Sequence, residues 1–255
     1  MIILKGIEIV DLALYFGSTL VIADVHIGYE EALNKQGVLV PRLQLEEIVK
    51  RMNGIFNVLK GKKIDRIIVN GDLKHEFGAI SEQEWRNTLK FLDLLAKHCD
   101  EIILVKGNHD TILGPIARKR NVKVLDYVVI EPATDKSNNG KNSLKKSSKT
   151  LIAHGDKIPK EALKDVSTII IGHEHPAVSL KEGARVEKVK CFLKGKYKGR
   201  NLIVQPSFNT IVPGTDILKE GILSPFLRQN LGNFEVYAVE DKVYEFGKLK
   251  NLRKS

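Results

Sequence analysis

Ile102-Ile103-Leu104-Val105-Lys106-Gly107-Asn108-His109-Asp110 sets four aliphatic residues in front of a cluster of polar, metal-philic side chains. So short an apolar run has the length of a strand buried on both faces, and such strands belong to α/β sheets covered by helices. The same grammar recurs four more times. Leu20-Val21-Ile22-Ala23 runs into Asp24-Val25-His26, and Ile67-Ile68-Val69 into Gly71-Asp72. Leu151-Ile152-Ala153 runs into His154-Gly155, and Ile169-Ile170-Ile171 into Gly172-His173-Glu174-His175. Open α/β sheets gather ligands beyond the carboxyl ends of their strands, so the five fragments are expected to converge.

Helical periodicity fills the intervals. Leu45, Ile48, Met52, Ile55 and Leu59 predict an amphipathic helix from Pro41 to Leu59, with Pro41 in its first turn. Trp85, Leu89, Leu92 and Leu95 form a second stripe, opened by Ser81 and Glu84 at capping-box spacing. After residue 180 the texture turns β-rich, with strands expected over Arg185 to Leu193 and Leu202 to Gln205, and a final pair around Phe234–Tyr237 and Val243–Phe246. The 255 residues are expected to form one α/β domain over 1–255. The Ser/Asn/Lys-rich stretch at 135–149 reads as a flexible surface loop, not a linker.

Apolar and charged contents of 43% and 28% exclude a disordered or fibrous class. Lys5, Glu8 and Asp11 break the N-terminal apolar runs, which spoils a signal peptide, and no run nears the roughly 18 residues of a membrane helix. A cytoplasmic protein with no membrane contact is expected. Cys99 and Cys191 lack C-x-x-C spacing and read as small buried hydrophobes, not a disulfide or a zinc knuckle. The net charge of +10 is concentrated in residues 136–149, with five lysines and no acid, and 181–200, with eight basic residues against two glutamates. Such segments either meet a phosphate backbone or are solvated surface, and charge alone favours the second. Aromatic residues, 6% of the chain, do not cluster with them, so no base-stacking platform is expected.

Five of the seven histidines, His26, His109, His154, His173 and His175, lie in the strand-end fragments. Hard cations take carboxylate and carbonyl oxygens, and imidazole suits manganese, iron and zinc. Asp24 and His26, two apart in an extended segment, can reach one metal, and the same spacing predicts that His173 and His175 face one centre. Asp72 can bridge two ions through its two oxygens, and the Asn108 side-chain carbonyl can ligate the second. Gly71, Gly107, Gly155 and Gly172 allow close approach of the backbone. His173-Glu174-His175 is not the i, i+4 pattern of a zincin, so Glu174 receives no catalytic role. Singly these fragments say little; jointly, each at a strand end, they specify a site.

In order and spacing the five fragments resemble the calcineurin-like metallophosphoesterase superfamily over roughly residues 20 to 176. The resemblance implies a four-layer α/β/β/α sandwich of two packed β-sheets flanked by helices, with the tail after 180 supplying the second sheet. It implies one divalent metal on Asp24, His26, Asp72 and His175 and another on Asp72, Asn108, His154 and His173, bridged by Asp72. Water activated between them would attack phosphorus in line, His109 would assist the leaving group, and Asp110 would orient its imidazole. Manganese suits this donor set better than magnesium alone, and zinc and iron are compatible with it.

Gly71-Asp72-Leu73-Lys74-His75 and Asp24-Val25-His26-Ile27-Gly28 are similar to segments of SbcD-type double-strand-break repair nucleases. That likeness implies a catalytic-site His75 beside a DNA backbone, and Lys74, where those nucleases have phenylalanine, adds a cation near the phosphate path. Those nucleases continue into a DNA-capping domain and a helical segment that docks on an ATPase coiled coil. This chain is too short for either, so the ATPase partner is not expected. The likeness narrows to short stand-alone SbcD-related phosphoesterases of archaea and bacteria, some linked to DNA repair. The expected function is two-metal hydrolysis of phosphodiesters in nucleic acid. The alternative is a phosphodiesterase for small esters such as 2′,3′-cyclic nucleotides. A remote third reading is a non-catalytic scaffold like the retromer subunit of this fold, which has lost the histidine retained here as His109.

Overall fold

The computed structural model describes residues 1–76, 80–110, 113–131, 149–182 and 185–252. Its first sheet begins with strands β1 (Ile2–Leu4), β2 (Ile7–Val10) and β3 (Ala13–Phe16), an antiparallel meander that leads into β4 (Thr19–Ala23). In sequence the polar residues of this meander look like interruptions of its apolar runs, which hides the strands. Lys5 and Asp11 occupy the hairpin turns, Asp11 with a left-handed φ of 55°, while Glu8 points outward and accepts from Lys62 Nζ at 2.7 Å.

From β4 onward the sheet is parallel, in the order β1-β2-β3-β4-β5-β6-β7, with β5 at Arg66–Asn70, β6 at Glu101–Val105 and β7 at Lys123–Leu125. Parallel neighbours need crossovers, and four helices supply them: α1 (Tyr29–Lys35), α2 (Gln44–Val58), α3 (Glu82–Leu95) and α4 (Gly114–Arg120). Ile48, Met52, Ile55 and Phe56 bury one face of α2. That helix starts at Gln44, not at Pro41. Gln44 is buried, with its side chain donating to the His26 carbonyl at 2.9 Å and accepting from Gly28 N at 3.0 Å, so the first turn is fixed by contacts to the site. At α3 only half of the capping box forms. Ser81 Oγ accepts from Glu84 N at 3.0 Å, but the buried Glu84 carboxylate turns away to accept from His75 N at 2.9 Å and Glu76 N at 3.1 Å.

The second sheet comprises β8 (Tyr127–Ile130), β9 (Lys149–Ala153), β10 (Val166–Ile171), β11 (Pro176–Glu182), β12 (Arg185–Tyr197), β13 (Arg200–Val204), β14 (Thr215–Asp216), β15 (Glu235–Val239) and β16 (Val243–Lys248). Its order is β14-β11-β12-β13-β10-β9-β8, with β15 on β12 and β16 on β15. The tail after 180 therefore does not build it alone, since β8, β9 and β10 come from earlier. A doubly buried strand reads the same in either sheet, so the crossing at Asp126 left no mark in the sequence.

Period two divides each inner strand between two cores. Ile170 joins Ile22, Ile68, Phe192 and Ile203 in the layer shared by the sheets. Ile169 and Ile171 face the other way, toward Ala162, Phe226, Leu227 and Leu249. That outer layer is thin, built from 3-10 turns at Lys160–Leu163 and Pro225–Leu227 and a short helix α5 (Leu249–Leu252). The arrangement is the expected sandwich of two sheets flanked by helices. Cys191 is buried and Cys99 half-buried, and both are free thiols. Apart from Lys149, the lysine-rich stretch expected to be a loop lies outside the described residues. No helix among the described residues is long and apolar enough to cross a membrane.

Candidate metal centre

Five strands deliver their polar ends to one edge. Asp24 and His26 follow β4, Asp72 follows β5, Asn108 to Asp110 follow β6, His154 follows β9, and His173 and His175 follow β10. Backbone bonds lace these ends together: Asp24 N donates to Gly71 O at 3.2 Å, His26 N to Asp72 O at 2.9 Å and Gly172 N to His154 O at 2.7 Å. Asp24, His26, Asp72, His173 and His175 all hold left-handed backbones, with φ between 41° and 64°. Such a conformation costs an L-residue roughly 1–2 kcal/mol, so five together mark a constraint imposed by the site.

Beside a cluster of His26, His75 and His109, the side chains form two carboxylate-bearing donor groups, Asp24, His26 and His175 in one and Asp72, His154 and His173 in the other, each with ligand atoms within 4.8 Å of one another. In the first, His26 Nε2 lies 3.3 Å from His175 Nε2, which is 3.6 Å from Asp24 Oδ1. In the second, His154 Nε2 lies 3.1 Å from His173 Nδ1 and 2.9 Å from Asn108 Oδ1. Asp72 Oδ2 stands between the groups, 3.8 Å from His26 Nε2 and 3.4 Å from His154 Nε2. Its other oxygen, Oδ1, accepts from His109 N at 2.8 Å, so one oxygen faces both groups. His173 and His175 part company, against the expectation from their spacing. Their left-handed φ values break the alternation that an extended strand would impose.

The electrostatics fit divalent cations. Asp24 Oδ1 and His154 Nδ1 are buried without a hydrogen-bond partner. Burial pulls His26 well below its ordinary value, His154 down to about 4, and His173 down as well. Neutral imidazoles are the form that ligates metals. Burial and then the Asp24 charge push Asp72 up to about 9, whereas burial of Asp24 is outweighed by His175, His154 and His26, which bring it down to about 2. Two carboxylates packed this way do not both ionise without a nearby positive charge. Space is equally specific. A Cβ on Gly71, which has φ +83°, would sit 1.9 Å from His154 Nδ1, and one on Gly107 would sit 2.1 Å from Asp72 Oδ1.

His109 stands beside the groups, its ring edge-on to His26 with centroids 4.9 Å apart. Its Nδ1–H donates to the carbonyl of His75. Burial lowers its pKa, and burial, His109 and Lys74 bring His75 down to about 4. His75 is half-buried, with Nδ1 3.4 Å from His26 Nδ1 and its ring against Tyr29. Asp110, expected to orient the His109 imidazole, is committed to backbone amides: its carboxylate accepts from Gly107 N at 3.1 Å, Leu73 N at 3.1 Å and Lys74 N at 3.4 Å, tying the β5 and β6 loops together. Burial pushes it up to about 6. Lys74 is fully buried and donates to the carbonyls of His109 and Glu76, so it does not line a phosphate path.

Several supports had no local signal. Glu174 is fully buried and accepts from Leu223 N and Ser224 N, while Ser207 Oγ and Asn209 N donate to the Asp24 carbonyl. Each joins segments far apart in sequence.

This fold and these donor groups define a metal-dependent phosphoester hydrolase. The chain belongs to the calcineurin-like phosphoesterase family, whose model matches residues 17–185. No curated protein matches it. Among solved structures it is similar to the nuclease MPE of Pseudomonas putida, at 18% identity, 93% coverage of both chains and a TM-score of 0.59. Others are the phosphoesterase Yfce of E. coli, at 13% identity, 86% coverage of both chains and a TM-score of 0.40, and zinc-complexed Vps29 of Entamoeba histolytica, at 18%, 90% of this chain and 91% of that one, and 0.33.

Proposed function

We propose that this protein is a cytoplasmic nuclease, one domain over residues 1–255, that hydrolyses phosphodiester bonds in nucleic acid with two divalent cations, manganese foremost. Asp24, His26, Asp72 and His175 would hold one, and Asp72, Asn108, His154 and His173 the other. The observation that carries this is Asp72 Oδ2, within 3.8 Å of His26 Nε2 and 3.4 Å of His154 Nε2. When bound, such cations supply water activation and neutralise charge on the phosphoryl oxygens.

The rest falls to the chain. Asp72 Oδ1 is pinned by His109 N, which fixes the carboxylate between the groups. The His75 carbonyl fixes His109 with its proton on Nδ1, so exchange with a leaving oxygen falls to Nε2. Asp110 holds the two loops in register, and His75 flanks the path of the nucleic-acid backbone. The shared fold of the Pseudomonas putida nuclease MPE supports the polymer reading.

A second reading, hydrolysis of small diesters such as 2′,3′-cyclic nucleotides, draws on the basic strand β12. Lys188 pairs with Glu220 at 2.6 Å and Lys194 with Glu235 at 2.5 Å, so the charge of these two lysines is already met locally. The test is manganese-dependent turnover by chelator-stripped protein of labelled single-stranded DNA, duplex DNA and RNA, beside a 2′,3′-cyclic nucleotide, with His109→Ala as control. Polymer cleavage that disappears in the variant and falls steeply with salt supports the nuclease. Turnover of the cyclic diester alone replaces it with the second reading.

A further inference from the structure

A polar groove runs between α2 and β12, in two lobes of about 470 and 510 Å³ that share Arg51, Lys190 and Thr210. It lies one backbone layer from the donor groups. Lys190 pairs in register with Ala177, two residues beyond His175, and its Nζ donates to the Ser207 carbonyl at 3.0 Å. Ser207 Oγ in turn donates to the carbonyl of Asp24 at 3.2 Å.

On the same strand Lys188 and Lys194 each meet a glutamate and Lys196 meets the Asn201 side-chain oxygen, and Arg51 across the groove meets Asp11 at 2.8 Å. Among the described residues Lys190 forms no ion pair, although burial and the neighbouring Arg51 bring its pKa down to about 7. A half-buried amine near a guanidinium is short of negative charge, and an anion bound by both would offset their repulsion. Thr210, which lines both lobes, carries a hydroxyl buried without a hydrogen-bond partner. Carboxylates at Asp11, Glu47 and Glu240 border the lobes, which disfavours a highly charged occupant and suits a single monoanion.

We propose that Lys190 and Arg51 bind one phosphodiester group of a nucleic-acid strand, at a distance from the bond being cut. This rests on the nuclease reading above. Free phosphate offers the same chemistry, and the experiment separates the two.

The manganese-loaded full chain is assayed on an oligonucleotide and on bis(p-nitrophenyl) phosphate, a diester with one phosphate, for wild type, Lys190→Met, Lys190→Arg and Arg51→Met. The expected result is an oligonucleotide KM raised about tenfold in Lys190→Met, a salt slope reduced by about one, and recovery in Lys190→Arg. Constants for the small diester stay as in wild type. Arg51→Met gives the same split, which covers the case in which Lys190→Met fails to fold. Polymer cleavage by wild type with no change of KM in the variants overturns the groove and leaves the nuclease standing. Equal losses on both substrates also overturn it, since the residues would then act through Asp24. A thermal shift by inorganic phosphate that Lys190→Met abolishes, with oligonucleotide KM unchanged, assigns the groove to free phosphate instead. If wild type cleaves no polymer, the nuclease reading fails and takes this inference with it.

Discussion

The ammonium of Lys74 donates to the carbonyl oxygen of His109 at 2.7 Å from a side chain with no exposed surface. The next residue, His75, accepts from His109 Nδ1 through its own carbonyl. Two consecutive residues thus grip His109 by its backbone and by its ring. Lys74→Met is expected to lower kcat by about ten- to a hundredfold with KM little changed, because it loosens a proton-transferring group without touching substrate. Leaving the His109 and Glu76 carbonyls unsatisfied should also cost roughly 1–3 kcal/mol of stability. Steady-state kinetics beside a denaturant titration reads both, and a variant with raised KM and unaltered kcat would count against the positioning role.

His109→Ala should lose about 10²- to 10⁴-fold on substrates with alkoxide leaving groups and far less on p-nitrophenyl esters, which leave without a proton. The dependence of rate on leaving-group pKa is the measurement. An equal loss across the series would assign His109 to binding.

Gly107→Ala should abolish metal binding or folding, since its Cβ would lie 2.1 Å from Asp72 Oδ1 and 2.4 Å from Asp72 N, a backbone atom that cannot swing aside. Circular dichroism and manganese titration of the variant test this. Gly54→Ala, with nothing within 4 Å of the added carbon, is the matched control.

Metal binding should be linked to pH through Asp72. Its pKa in the metal-free fold is raised to about 9, by burial first and then by Asp24. A raised carboxylate contributes stability that is present below its unfolded value near 4 and lost as pH climbs toward 9. The metal-free protein should therefore lose stability over that window, and manganese should restore more of it at pH 8.5 than at pH 6. Thermal melts with and without manganese at the two values decide the point. Calorimetry in buffers of different ionisation enthalpy should show proton release on binding at pH 7.

The strand ends were legible because each joins a doubly buried run to residues that a core does not tolerate singly. Asp24, His26, Asp72, Asn108, His154, His173 and His175 all reach one edge of the sandwich. What failed was local geometry. The separation of His173 from His175 depends on left-handed backbones that no spacing rule foresees, and the turn of Asp110 toward the Leu73 and Lys74 amides depends on a loop 37 and 36 residues away. Glu84 reads as an ordinary capping-box residue and Gln44 carries no signal at all, yet both are buried against the site through contacts that only the folded chain creates. The N-terminal meander was hidden by polar residues that turn out to be its hairpins and its solvent face.

Anomalous diffraction from manganese-loaded crystals tests the central claim most directly. The account predicts two peaks about 4 Å apart, both bonded to Asp72, with Asp24, His26 and His175 on one and Asn108, His154 and His173 on the other. A single peak, or two that do not share Asp72, would contradict it.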